Sequence, residues 1–164
     1  MSLARRIFRR AKNVLYWVLM TGVNHALTGA AIGLLLKNPL LVVPAAFASH
    51  LVLDVVPHFG SDWFIDRRKP MLAWAVTEGV LSASVTLILI ILWPQYWYAI
   101  GIGAFAAVAP DVWWVIPLLL GKGRPQDAFT RFHGWIQWGE FEFGSSIEVI
   151  WTGLMAALLA SLPK

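Results

Sequence analysis

The sequence predicts an all-α integral membrane protein, a helical bundle of about five transmembrane helices preceded by a basic amphipathic amino-terminal helix. Three observations lead to this fold class. Of the 164 residues, 59% are hydrophobic and only 13% are charged, whereas soluble domains carry about 25% charged residues. Five long apolar stretches follow one another along the chain. Finally, the chain has no cysteine, which excludes a disulfide scaffold, thiol catalysis and cysteine-ligated zinc.

The apolar stretches have the length of membrane-crossing helices. They cover residues 13–36, 39–57, 72–93, 96–120 and 143–162, and a bilayer is crossed by roughly 20 apolar residues in a helix. Short turns and two longer loops are almost all that remains, so residues 21–164 are expected to form a single transmembrane domain. The first span begins either near residue 13 or near residue 21.

Residues 1–20 form a basic leader in which positive charges alternate with apolar side chains. The basic residues are Arg5, Arg6, Arg9, Arg10 and Lys12. Such a pattern is typical of an amphipathic helix that lies on anionic lipid headgroups. The alternative is the positive start of a signal peptide, which is disfavoured because no clear small-residue cleavage pattern follows it.

The distribution of positive charge predicts the orientation in the membrane. Eleven of the 13 Lys and Arg residues fall in the leader, the second loop and the fourth loop, and only Lys37 and Lys164 fall on the other side. Cytoplasmic loops carry the excess of Lys and Arg. We therefore expect a bacterial or archaeal cytoplasmic membrane protein with its amino terminus inside and its carboxyl terminus outside. The net charge of +4 is explained by this topology, and membrane lipids rather than nucleic acid are the expected partners.

Ionisable side chains inside the apolar stretches mark the candidate site. Such groups are costly in a membrane and are functional candidates by default. With the predicted topology they fall in one layer near the cytoplasmic side. They are His25, His50, Asp54, Glu78, Asp111 and Glu148, with His58 just after the second span and His133 in the last cytoplasmic loop.

The segment from His50 to His58 carries the most specific pattern. His50 and Asp54 are four residues apart, so they project from one face of a helix, where an imidazole nitrogen and a carboxylate oxygen can bind one cation. Pro57 favours a helix end, which would turn His58 towards the same cation. The alternative is a hydrogen-bonded His50–Asp54 pair that only joins helices.

The remaining candidates come from separate spans and loops. Asp111 follows Pro110, and proline loosens a helix within the membrane where it lines a cavity. His25 precedes a run of small residues that permits close helix packing. Glu78 is a candidate general base, and Arg131, two residues before His133, suits an anionic group. For each of these, a purely structural or interfacial role is the alternative.

These motifs resemble those of the membrane-bound metal-dependent hydrolases of bacterial inner membranes. The matching residues are His25 with Gly29 four residues later, Ser49-His50-x-x-x-Asp54, and Pro110-Asp111. The stretch from His50 to His58 is also similar to the His-x-x-x-Asp metal motif of the zinc phospholipase C and single-strand nuclease superfamily. The resemblance implies that His50, Asp54 and His58 are metal ligands, that His25 and Asp111 are further ligands, and that His133 binds metal or phosphate.

The expected activity is therefore that of a membrane-embedded metal-dependent hydrolase. It would hold one to three divalent metal ions, expected to be zinc, and cleave a lipid or isoprenoid phosphoester at the cytoplasmic side. One alternative is a component of a proton- or metal-ion-coupled transporter. A second is a non-catalytic membrane adaptor.

Overall fold

The structure, a computed structural model, describes residues 21–59, 68–122, 125–137, 140–141 and 145–163. Within these ranges the chain is helical apart from turns and one short β-pairing. The elements are α1 (Thr21–Leu36), α2 (Pro39–Val55), β1 (His58–Phe59), α3 (Arg68–Leu92), a 3₁₀ helix (Pro94–Tyr96), α4 (Trp97–Leu119), α5 (Ala128–Ile136), β2 (Glu140–Phe141) and α6 (Ser145–Ser161). The two strands are parallel, with His58 opposite Glu140. The all-α class is confirmed, and the predicted amphipathic leader lies outside the described residues.

The number of membrane-spanning helices requires a correction. In the described part of the chain, two helical segments are long and apolar enough to cross a membrane, Lys69–Leu92 and Pro94–Pro117, whereas the sequence predicts about five. The other apolar helices, α1, α2 and α6, have 16, 17 and 17 residues. At 1.5 Å per residue they are about 25 Å long, short of the ~30 Å hydrocarbon core.

The turn between α1 and α2 ends one helix and begins the next within two residues. Lys37 has a positive φ of 58°, and its backbone N–H donates to Gly33 O at 2.9 Å, which ends α1. Asn38 then caps α2, because its Oδ1 accepts from the backbone N–H of Leu40 at 3.0 Å, and Pro39 occupies the first turn without leaving an orphan donor. The two-residue connection at 37–38 agrees with the predicted short turn.

Helix α1 lies at the centre of the bundle and packs against α2, α3, α4 and α6. Its residues from 24 to 31 are all buried, as expected for a helix that is apolar or small on every side. The core joins α1 to the neighbouring helices through Ala30, Leu34, Leu89, Ile100 and Leu159. By contrast, α3 turns large apolar side chains outward, among them Val76, Val80 and Ile88. This exposed apolar face suits a lipid environment better than water.

The crossing of α1 and α4 depends on glycine. A Cβ added at Gly29 would overlap the backbone of Gly103, and one added at Gly103 would overlap the carbonyl oxygen of Gly29. The backbones of the two helices are therefore in direct contact, as in other close crossings of small residues in membranes. This contact fixes the height of His25 on α1 relative to Asp111 on α4.

Replacing Gly103 by alanine is expected to destabilise the protein by about 1–3 kcal/mol, the usual cost of overpacking. The added methyl group meets backbone, which cannot rotate away as a side chain can. Gly101 on the same helix is the matched control, since a Cβ there meets no atom within 4 Å. Thermal unfolding in detergent measures both variants. Equal melting temperatures for Gly103→Ala and Gly101→Ala would contradict the tight crossing.

Candidate metal centre

His50 and Asp54 lie one turn apart on the buried face of α2 and form the middle of the site. Both residues are 0% exposed, and His50 Nε2 is 3.2 Å from Asp54 Oδ2. His50 Nδ1 is 2.6 Å from the carbonyl oxygen of Ala107 on α4. A carbonyl can only accept, so Nδ1 carries the proton and Nε2 presents its lone pair to the cluster. Metal-binding histidines are commonly oriented by such a hydrogen bond.

The carbonyl that orients His50 belongs to a distorted part of α4. Pro110 lies inside this helix and has no backbone N–H, so the carbonyl of Ala106 loses its normal helical partner. The ring of Pro110 also crowds the preceding turn, which includes Ala107. The carbonyl that Pro110 frees is that of Ala106, and the next carbonyl, that of Ala107, accepts from His50.

His133 reaches the site from α5. Its Nε2 is 2.6 Å from Asp54 Oδ2 and 2.9 Å from His50 Nε2. The ring stacks on Phe129, with centroids 5.8 Å apart, and Phe129 lies 6.1 Å from Phe47 of α2. Aromatic packing thus fixes both α5 and the direction of the His133 ring.

The first turn of α5 is held by Asp127. Its Oδ1 accepts from the backbone N–H of Thr130 at 2.9 Å, and its Oδ2 accepts from Trp113 Nε1 at 3.2 Å. The backbone hydrogen bond from Thr130, the largest favourable cause, lowers the pKa of Asp127 to about 2. Because this pKa is lowered, the cap stabilises α5 above the ordinary carboxyl range and is lost only as the pH falls towards 2.

His25 and Asp111 complete the cluster from α1 and α4. The His25 ring stacks on His50 with centroids 4.0 Å apart, and its Nε2 is 3.2 Å from Asp54 Oδ1. Asp111 Oδ1 lies 3.8 Å from the Nε2 atoms of both His50 and His133. Trp114 Nε1 donates to the same oxygen at 3.3 Å. Four elements therefore bring five of the six predicted ligands together.

The donor chemistry fits a divalent metal ion. Two sets of residues in the described part of the chain have ligand atoms close enough to hold one: His25, His50 and Asp54, and His50, Asp111 and His133. His25 Nδ1 has no hydrogen-bond partner among the described residues, and His25 Nε2 and Asp54 Oδ1, which lie 3.2 Å from each other, have no other partner there. Buried polar atoms without partners are costly. A cation among these electron pairs would satisfy them, and zinc accepts imidazole and carboxylate together.

The two sets overlap at His50. Both use His50, whose Nδ1 is occupied by the Ala107 carbonyl, so only its Nε2 can bind a metal. One nitrogen lone pair binds one ion. Metal–nitrogen bonds of 2.0–2.1 Å place two ligands of a tetrahedral ion about 3.3 Å apart. The distance from His50 Nε2 to Asp54 Oδ2 is 3.2 Å, that from His133 Nε2 to the same oxygen is 2.6 Å, and that from His50 Nε2 to Asp111 Oδ1 is 3.8 Å, so the candidate ligand distances bracket this value.

His58, the sixth predicted ligand, lies outside both sets. It belongs to β1, and its Nδ1 donates to the carbonyl of Val56 at 2.7 Å. Val56 has an extended backbone, with φ −73° and ψ 137°, because Pro57 disfavours a helical residue before it. The chain therefore leaves α2 before it reaches His58. The ring is buried and lines a pocket beside His25.

The two predicted catalytic residues are also outside the cluster. Glu78 of α3 is buried and lies against Gly22 of α1, where an added Cβ would be 2.5 Å from Glu78 Oε2. Arg131 is exposed, and its Nη1 donates to the carbonyl of Gln126 at 3.1 Å. On α5 it points away from the face that carries His133. The catalytic roles of both residues stay predictions.

A polar seam between α1 and α6 contains Glu148, one of the ionisable residues predicted in the cytoplasmic layer, together with polar partners that the sequence does not single out. Asn24 Nδ2 lies 3.3 Å from Glu148 Oε2, and its Oδ1 accepts from Thr152 Oγ1 at 2.7 Å. Trp151 Nε1 donates to Thr28 Oγ1 at 2.9 Å. The only available signal is the spacing of Asn24 and Thr28, and of Glu148 and Thr152, each four residues apart on one helix face. These hydrogen bonds hold α6 beside His25.

Fold and site together define a helical bundle, apolar on its outside, with a buried histidine–aspartate cluster that can hold a metal ion. The chain was compared with protein-family models, curated proteins and solved structures. No protein-family model, curated protein or solved structure matches the chain.

Proposed function

We propose that this protein is a membrane-embedded, metal-dependent hydrolase that cleaves a lipid-linked phosphoester at the cytoplasmic side of the membrane. The observation that carries this proposal is the convergence of three buried imidazoles on the carboxylate of Asp54. His25, His50 and His133 each place Nε2 within 3.2 Å of an Asp54 oxygen. A structural hydrogen-bonded pair would need only one of them.

Two features support a membrane location. Helix α3 and the segment Pro94–Pro117 have sufficient length and hydropathy, and the outer face of α3 is apolar. On α5, the side chains of Phe132 and Trp135 are exposed next to Arg131, an arrangement suited to the boundary between lipid and water. Asp54 is near the end of α2, and the Lys- and Arg-rich second loop follows that end in the sequence, which supports a cytoplasmic site.

The proposed reaction is the hydrolysis of a phosphate monoester. The oxygen of water forms a bond to phosphorus, the bond between phosphorus and the alcohol oxygen breaks, and a proton passes to that oxygen, giving a lipid alcohol and inorganic phosphate. A divalent ion, when bound, supplies Lewis acidity and makes water a better nucleophile near neutral pH. Asp54 supplies negative charge and two ligand oxygens, and the Ala107 carbonyl keeps His50 Nε2 directed at the site.

The test uses full-length protein in nanodiscs, loaded with one equivalent of zinc. Phosphatidic acid and geranylgeranyl monophosphate are the substrates, and released inorganic phosphate is measured. We expect phosphate release that a chelator stops, that zinc restores, and that Asp54→Asn lacks. His58→Ala is the matched control for zinc content, because His58 is a buried histidine outside the metal sets.

Three results would overturn the proposal. The first is no phosphate release from either substrate by zinc-loaded protein, and the second is equal release by wild type and Asp54→Asn. The third is cation flux across proteoliposomes that needs Asp54, which would assign the cluster to transport instead.

A further inference from the structure

A pocket opens beside the histidine–aspartate cluster. It is a small, partly open pocket between α1, the carboxyl-terminal end of α2 and α6. His25 belongs both to the cluster and to the pocket wall. The pocket therefore reaches the candidate metal centre through one shared side chain.

Most of the pocket wall is hydrocarbon. The apolar wall residues are Leu53, Val56, Pro57, Ile147 and Trp151. The indole N–H of Trp151 is engaged by Thr28 Oγ1 at 2.9 Å, so the ring presents its carbon atoms to the pocket. Asn24, also in the wall, is engaged by Thr152 and Glu148. The other polar residues of the wall are His25, His58 and Glu148. Glu148 pairs with Asn24, the neighbour of His25 in the chain, and His58 Nδ1 donates to the carbonyl of Val56.

The mainly apolar wall, with polar residues beside the cluster, indicates which ligands the pocket accommodates. The end at His25 adjoins the ligands expected to hold the metal, where a phosphoester would be cleaved. The apolar walls offer few hydrogen bonds, so a sugar or nucleoside would lose its contacts with water without replacing them. Burial in the same pocket strengthens the binding of a hydrocarbon chain, by roughly fourfold in affinity for each methylene group.

We propose that this pocket binds the first carbons of the substrate's hydrocarbon chain, next to the phosphoester, and that Leu53, Ile147 and Trp151 determine which chains are accepted. The inference rests on the proposed hydrolase function. It assigns the substrate class to lipids whose phosphate is attached to an unbranched or slender chain. The limited volume admits a segment of the chain, and the remainder extends into the membrane.

The experiment separates the pocket from the chemistry by measuring binding as well as turnover. Alkyl phosphonates of 4, 8, 12 and 16 carbons, which cannot be hydrolysed, are titrated onto zinc-loaded wild-type protein. Alkyl phosphate monoesters of the same lengths give kcat/KM. The variant Ile147→Trp fills the pocket. Ile150→Trp is the matched control, because Ile150 lies on the same helix, is 62% exposed and is not in the wall.

For wild type and Ile150→Trp we expect affinity to rise with chain length, by roughly fourfold per methylene at first, and then to level off. In Ile147→Trp the rise should stop earlier, with at least a tenfold loss for the 12-carbon ligand and a smaller loss for the 4-carbon ligand, while zinc content stays unchanged.

Chain-independent affinity in wild type would overturn the pocket assignment, and so would wild-type chain dependence in a zinc-loaded Ile147→Trp. If the phosphonates bind with the expected chain dependence but none of the phosphate esters is hydrolysed, the pocket assignment holds and the proposed function fails. If Ile147→Trp does not fold, the chain dependence of binding to wild-type protein still tests the pocket assignment.

Discussion

Asp54→Asn is expected to lower the affinity for zinc by on the order of 100-fold or more, a larger loss than removing a group outside the ligand shell causes. The asparagine has nearly the same size, but it lacks the negative charge that faces three imidazoles. In the described residues Asp54 is paired only with histidines, so no Lys or Arg depends on it. Competition with a zinc-binding dye measures the affinity, and elemental analysis measures the zinc content.

The control for this variant is His58→Ala, for which wild-type zinc content is expected. The pair of variants also tests the resemblance-based prediction that His58 is a ligand, because a loss of zinc in His58→Ala would place this residue in the metal shell. Retention of wild-type zinc affinity in Asp54→Asn would contradict the assignment of the cluster as a metal centre.

Removing the metal is expected to release α5 from the bundle. This helix has nine residues, too few for independent stability in water, and it packs against α2. Its contacts there are the Phe129–Phe47 pair and the approach of His133 to Asp54 and His50. With the metal absent, His133 loses its strongest link to α2. Hydrogen exchange in residues 131–136 should then be at least tenfold faster, since local opening follows local stability.

The internal control for this measurement is α1, whose amides lie in the middle of the bundle. They should keep their protection when a chelator is added, and readdition of zinc should restore the protection of α5. If elemental analysis shows that zinc has left and α5 exchanges no faster, the metal does not join α5 to the bundle.

Spacing along one helix made part of the site predictable. His50 and Asp54 are four residues apart, so any helix places them together. Pro110 removes a backbone hydrogen bond within an apolar stretch, which marks the next residue, Asp111, as a candidate. Their convergence with His25 and His133 could not be derived in this way. It depends on the glycine contact between α1 and α4 and on the aromatic packing of Phe129 against Phe47, which are tertiary contacts without a periodic signature.

Helix ends account for the differences in the fold. Hydropathy does not distinguish a helix from the extended residues that follow it, so the second apolar stretch continues to Pro57 although α2 ends at Val55. The same limit affects His58, which the sequence places on a turn near the metal and the structure places on β1. Arg131 shows a further limit of prediction from sequence spacing. It is two residues from His133, and in a helix this spacing puts the two side chains on opposite faces of α5.

X-ray absorption at the zinc edge of protein purified without chelator tests the central claim most directly. If this cluster holds zinc, we expect about one zinc per chain. The spectrum should show nitrogen and oxygen ligands at about 2.0–2.1 Å and the outer-shell scattering of imidazole rings. The imidazole signal should disappear in Asp54→Asn together with the metal. Protein without bound zinc or another divalent metal, or a spectrum with oxygen ligands alone, would contradict the account.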